Sequence, residues 1–124
     1  MLFRSLAAIC SCSKINLGLL SEAGQGTIKG DRTTARTWQI PACGGFLLHE
    51  DTHELRAAFM PGEEAAVFSS HADLVSRISQ YLHDSEGRER IRVAGLQRCR
   101  TSQYSYRAAA ERVLTFHRDR HPSP

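Results

Sequence analysis

Three short apolar runs set the strongest limit on how this chain can fold. They are Ile15 to Leu20, Phe46 to Leu48 and Ala65 to Phe68. A helix that stands in a core needs about 10–12 residues, so runs this brief read as strands. In the first, Ile15, Leu17 and Leu19 alternate with Asn16 and Gly18, the pattern of a strand entering a core. The second is apolar without a break, as suits a strand covered on both faces. Between the runs lie stretches of helical character. Thr33 to Ala42 is one, ended near Pro41 and released by Gly44-Gly45; His53 to Phe59 is another, stopped by Pro61-Gly62. Strands that alternate with helices pair in parallel through right-handed crossovers. The expected class is α/β, with a short parallel sheet that looks like part of a doubly wound domain.

Three helices are expected after the last run. Ser70 with Asp73 can cap the first, whose Leu74, Val75, Ile78, Tyr81 and Leu82 share a face at helical spacing. Asp84 or Ser85 begins the second, which runs to about Cys99 and offers Ile91, Ala94 and Leu96 for burial. The third, from about Ser105 to Arg118, is expected to bury Ala109, Val113 and Phe116. At 124 residues the chain supports one core, burying a little under ~70% of the unfolded surface. The organisation is then a single domain over 1–118 with a loose tail over 119–124, and Ser21 to Asp31 reads as a flexible connection with three glycines.

Composition narrows the function classes. Hydrophobic residues make up 41% and charged residues 23%, ordinary for a globular chain, and no run approaches the ~18 apolar residues of a membrane span. The opening MLFRSLAAICSCS loosely resembles a secretory signal, but LAAIC is shorter than the ~7–15 residues of an apolar signal core. It reads as a buried helix. Cysteines 10, 12, 43 and 99 form no C-x-x-C pair, so reduced, mostly buried thiols in a cytoplasmic protein are expected. The net charge of +3 comes from 16 basic and 13 acidic residues, with ten arginines at or after Arg77. Arginines 77, 88, 90, 92, 98, 100 and 107 could form a nucleic-acid surface, yet Glu86 and Glu89 dilute them and aromatics are lacking until Tyr104 and Tyr106. A solvated helix face is the expectation, with no nucleic-acid partner.

The stretch HEDTHE, His49 to Glu54, contains H-E-x-x-H. In a zinc hydrolase a helix carries both imidazoles on one face and the Glu polarises the metal-bound water. Here Asp51 and Glu54 stand where a helix behind a metal shows apolar side chains, and Phe46 to Leu48 place His49 in a strand-to-loop turn. His71 or His83 could supply a third ligand, but nothing selects either. A solvated loop is expected, with no metal and no cofactor.

The residues upstream carry a resemblance. Arg36 to Leu48 reads RTWQIPACGGFLL; Gly62-Glu63-Glu64 precede the third run; Tyr81-Leu82-His83-Asp84 end one helix; and Arg88 to Gly95 reads RERIRVAG. These spaced blocks resemble the C-terminal portion of bacterial GT-B glycosyltransferase-like proteins of the spore-maturation type, and KINLGLL fits the strand before the first block. The likeness covers roughly Leu2 to Phe116.

The resemblance implies a partial Rossmann-like fold, the GT-B C-terminal domain, that binds a nucleotide-diphosphate sugar. Thr33, Thr34 and Arg36 open a helix where amides, hydroxyls and a guanidinium can face an anion. Arg36 is the candidate catalytic group, stabilising the departing diphosphate. Related retaining transferases use two acids separated by seven residues to meet the donor. Asp31 and Gln39 stand at that spacing, although the family has Glu where this chain has Gln39. Gly44 and Gly45 would allow close backbone approach to the donor. His49, Glu50 and Glu63 are further polar neighbours. An acceptor-holding N-terminal domain is missing from these residues, and half a cleft loses most of its catalysis. The chain is therefore expected to be part of a transferase and inactive in isolation, or else a non-catalytic interaction module.

Overall fold

The computed structural model describes residues 2–20 and 31–120, with side chains from Ser5 onward. The expected glycine-rich connection lies outside the described residues from Ser21 to Gly30, as does the tail from His121. Strands β1 (Asn16–Gly18), β2 (Leu47–Glu50) and β3 (Ala66–Phe68) form one sheet in the order β1-β2-β3. Both pairings are parallel. The helices are α1 (Leu2–Cys12), α2 (Ala35–Ala42), α3 (His53–Ala58), α4 (His71–His83), α5 (Ser85–Thr101) and α6 (Tyr106–Arg120). The fold is α/β, a partial Rossmann-like arrangement, as the spacing of the apolar runs predicts.

Period-2 alternation divides the core between the two faces of the sheet. Leu47 on β2 joins Cys10, Ile40, Leu55, Phe59 and Ala65 on one side, with Trp38 and Tyr104 packed against them. Leu48 joins Phe46, Ala66, Phe68, Tyr81 and Ile91 on the other, with Leu17, Leu74 and Ile78 at its border. Leu48 is in register with Leu17 and Ala66, so three neighbouring strands send apolar side chains the same way. Phe46, Leu47, Leu48, Leu55 and Phe59 are almost fully enclosed. Each stabilises the fold by about 1.5–3 kcal/mol relative to exposure.

Local chemistry starts and ends the helices. The Thr52 hydroxyl accepts from Leu55 N–H at 3.1 Å, that of Ser70 accepts from Asp73 N–H at 3.1 Å, and the Asp84 carboxylate accepts from Gly87 N–H at 2.8 Å. At the end of α2, Gly44 N–H donates to the Pro41 carbonyl at 2.9 Å and Gly45 N–H to the Ile40 carbonyl at 2.9 Å. Gly44 takes φ 74°. Those are the bonds of a Schellman cap, which calls for a left-handed residue at the position Gly44 holds.

The arginines of α5 tie the layers together, correcting the reading of a solvated face. Arg88 Nη1 donates to the Tyr81 carbonyl near the end of α4. Arg92 Nη1 reaches the Gly44 carbonyl beyond α2 at 3.0 Å, and Arg98 Nε reaches the Ala58 carbonyl at the end of α3 at 3.0 Å. Tyr81 and Ala58 lie in the last turns of α4 and α3, whose carbonyls a helix terminus leaves without partners and which carry the negative end of its dipole. The Gly44 carbonyl lies just past the cap of α2.

Other expectations are revised by what covers each helix. In α1 Cys10 is buried, but Ile9 is 61% exposed, so this is a surface helix and not a buried one. Only Cys10 of the four cysteines is fully buried, and all four are free. In α4 Tyr81 goes inside while Val75 and Leu82 stay exposed. In α6 the buried residue is Ala108; Val113 and Phe116 are 67% and 60% exposed. That helix also runs to Arg120, so Asp119 and Arg120 are helical and not part of a loose tail. Among the described residues no helix is long and apolar enough to cross a membrane.

Candidate functional site

In a parallel sheet every strand points the same way, so the loops after the strands gather at one edge. Ligands bind there in open α/β sheets. At this edge the Glu50 carboxylate, ending β2, accepts from Leu20 N–H beyond β1 at 3.0 Å. The Thr52 hydroxyl donates to the Arg32 carbonyl at 3.1 Å, joining the loop after β2 to the segment that enters α2. Helix α2 therefore presents its N-terminus at the ligand edge. The amides of Ala35 and Arg36 open that helix and have no intrahelical acceptor. Arg36 and Arg32 are exposed, and neither side chain makes a hydrogen bond or ion pair among the described residues.

A buried chain of hydrogen bonds supports the start of α2. Thr34 N–H donates to Thr37 Oγ1 at 3.0 Å, and Thr37 Oγ1 lies 2.8 Å from His49 Nε2. His49 Nδ1 lies 2.6 Å from the Glu50 carbonyl. A carbonyl only accepts, so Nδ1 carries the proton and Nε2 of the neutral ring accepts from the Thr37 hydroxyl. Burial pushes the His49 pKa below its ordinary value, opposed by the Glu50 carbonyl bond and the Glu50 charge. Thr37 and His49 are both fully enclosed. The Thr34 hydroxyl is buried and has no hydrogen-bond partner among the described residues.

His49 is therefore an interior residue of β2, not part of a solvated loop. His53, four residues on, begins the separate helix α3 and is exposed. The H-E-x-x-H residues are split between a strand and a helix, and among the described residues no group of three or more His, Cys, Asp or Glu side chains could hold a metal ion. Asp51, inside the same stretch, holds Arg56 through two bonds of 2.6 and 2.5 Å. The Arg56 hydrogen bond lowers the Asp51 pKa.

The site residues read from the sequence separate into two groups. Asp31, Thr33, Thr34 and Arg36 cluster where the chain enters α2; Gln39 follows Arg36 by one turn; Glu50 lies across the same edge. Gly44, Gly45 and Glu63 sit at the opposite edge, where the chain enters β2 and β3. The length of α2, roughly 12 Å for eight residues, separates the groups. Besides the Gly44 cap, a Cβ on Gly45 would lie 2.8 Å from the Cys10 carbonyl oxygen. Backbone conformation at the cap accounts for Gly44, and close packing for Gly45. Glu63 is exposed in the turn around Gly62, whose φ is 81°. Its neighbour Glu64 accepts from Met60 N–H at 2.8 Å and lies 3.4 Å from Arg98 Nε.

The sequence by itself gives little sign of Thr37 or Arg32. A signal for Thr37 existed: it stands three residues after the cap Thr34, where a side chain can return to the cap amide. Thr is weaker than Glu or Gln as a mark of that motif. Arg32 had no signal beyond its charge.

Among known families, the one described as glycosyl transferase-like matches residues 3–115. No curated protein and no solved structure matches the chain. The match spans the parallel sheet, α2 at its ligand edge and the α5 clamps, and nearly the whole of the 124 residues. By that match the chain belongs to the glycosyl transferase-like family.

Proposed function

We propose that this chain binds the donor of a glycosyl transfer, a nucleotide-diphosphate sugar, at the edge where α2 begins. The observation that carries the reading is the exposed Arg36 guanidinium, unpaired among the described residues, in the first turn of α2 at the ligand edge of a sheet from a glycosyl transferase-like family. A diphosphate would meet the first amides of α2, the Thr33 hydroxyl and Arg36, whereas the enclosed Thr34 hydroxyl does not reach it. Asp31 and Gln39 would hold sugar or ribose hydroxyls. On the spaced sequence blocks alone we assign the chain to the spore-maturation type. Four unpaired thiols support a reducing, cytoplasmic location.

Transfer also requires an acceptor held in register with the donor. We therefore read this domain as the donor half of a GT-B enzyme that works with an acceptor-holding domain. The second reading, a non-catalytic module, is favoured by Gln39, which cannot supply the charge-assisted bond of a glutamate. Isothermal titration of UDP, GDP and TDP into the purified chain tests donor binding. One of them should bind, Arg36→Ala should weaken it on the order of ten-fold or more, and Gln39→Glu should strengthen it. No binding by any of the three, or an unchanged Arg36→Ala, refutes the donor site. Sugar transfer that appears when Gln39→Glu is combined with an acceptor domain supplied in trans favours the enzyme; persistent inactivity favours the module.

A further inference from the structure

We propose that His49 is a positioning residue for this site: through Thr37 it holds the first turn of α2, and protonation of its ring releases that turn. The proposal rests on the donor-site reading for its consequence, but the coupling itself is a property of the ligand-free chain. The hydrogen bonds run in one sense only while the ring is neutral. Nδ1–H is committed to the Glu50 carbonyl at 2.6 Å, and Nε2 receives the Thr37 hydroxyl proton at 2.8 Å. Thr37 Oγ1 is then free to accept from Thr34 N–H at 3.0 Å, and that bond sets the backbone at the cap of α2.

Protonation reverses the middle link. Nε2 would carry a hydrogen aimed at Thr37 Oγ1, and the hydroxyl proton now on that link would need another acceptor. Thr37 and His49 are both 0% exposed, so water cannot provide one. Thr37 Oγ1 has two lone pairs and could accept from both Nε2–H and Thr34 N–H, but its own proton would then be a buried donor without a partner, which is costly. Turning the hydroxyl away from the ring relieves that cost and takes the Thr34 bond with it. The ring cannot step aside towards β1 either. A Cβ on Gly18 would lie 2.3 Å from His49 Cδ2, so the imidazole already fills the space that glycine leaves.

Among the groups around the ring only Glu50 offsets the charge, and burial outweighs it. Glu50, on the same strand, is the charged group acting on it, and its carboxylate already receives Leu20 N–H. The positions facing the ring are Gly18 on β1 and Thr37 on α2, with Val67 in register on β3. None of these three can ionise.

Amide hydrogen exchange at Thr34, read by NMR on the ligand-free chain at neutral pH, tests the coupling. His49→Leu and Thr37→Val remove the acceptor links, and each should accelerate Thr34 exchange on the order of ten-fold. His49→Gln, whose side-chain oxygen can accept from the Thr37 hydroxyl and cannot be protonated, should keep the slow rate. Unchanged Thr34 exchange in His49→Leu overturns the proposal. The consequence is read by titrating UDP-glucose, whose pyrophosphate diester keeps its charge between pH 5 and 7.5. Wild-type affinity should fall as the pH drops from 7.5 towards 5, while His49→Gln should bind equally across the range. A purely structural role for His49 would weaken the variant at every pH alike; that result, or a flat wild-type profile, overturns the proposal. If UDP-glucose and all three of UDP, GDP and TDP bind at no pH, the donor reading fails and the exchange measurement still decides the coupling.

Discussion

Replacing Gly95 by alanine sets two effects of opposite sign against each other. Gly95 is buried within the 17-residue helix α5. Alanine should stabilise a helix interior by roughly 0.5–1 kcal/mol relative to glycine. At this position, however, a Cβ would lie 2.5 Å from the Glu64 carbonyl oxygen and 3.5 Å from Pro41 Cβ. Ordinary contact begins near 3.4 Å, so the approach to Glu64 is short by about 0.9 Å. The obstructing atom belongs to the backbone that enters β3, and Glu64 is held by Met60 N–H and Arg98. It cannot swing away as a flexible side chain would. Overpacking of this kind costs about 1–3 kcal/mol, which exceeds the propensity gain. Gly95→Ala should therefore destabilise the fold by roughly 1–2 kcal/mol, lowering the thermal midpoint by roughly 3–8 °C. Urea denaturation and a thermal melt followed by far-UV circular dichroism measure both quantities. A variant as stable as wild type, or more so, would show that α5 does not pass this close to Glu64.

Arg98→Ala removes the donor to the Ala58 carbonyl and the ion pair with Glu64; urea unfolding should show a loss of about 1.5–3 kcal/mol. Arg107→Ala removes an ion pair whose side chains are 89% and 61% exposed and should change stability by less than about 0.5 kcal/mol; equal losses in the two would contradict the clamping role of α5. Val113→Lys on α6 should likewise stay within about 0.5 kcal/mol of wild type, since Val113 is already in water. A loss of several kcal/mol would restore the buried face expected from its sequence. The lowered pKa of His49 makes the unfolded chain bind the extra proton first as pH falls. Its contribution to stability is fully present above the unfolded value of about 6.5 and is lost as pH drops through the folded value. His49→Gln should remove that part of the acid sensitivity in denaturation curves recorded between pH 7.5 and 5, and an unchanged curve would place the sensitivity elsewhere.

Whatever depends on residues a few positions apart could be read from this sequence. Ser70 before Asp73, Asp84 before Gly87 and the Gly44-Gly45 pair after Pro41 mark helix ends through bonds spanning three to five residues. The three apolar runs and the helices between them fix a parallel α/β order because strand period and crossover handedness are local and steric. Whether a helix face is covered is not local. The apolar residues Val113 and Phe116 have helical spacing, yet no described element packs over them, whereas Ala108 is buried. The site divides in the same way. Residues from Asp31 to Gln39 belong to one segment, so that they lie together is legible in the sequence, whereas only the sheet decides that Gly44, Gly45 and Glu63 lie at its other edge. Only the tertiary structure could show that Arg92 meets a carbonyl 48 residues away and Arg98 one 40 residues away. The same holds for His49, which the sequence placed at a solvated turn and the fold enclosed between Gly18 and Thr37. An imidazole or a guanidinium is compatible with water or with a buried acceptor. The choice is made by which distant carbonyls and hydroxyls the packed sheet and helices bring within 3 Å.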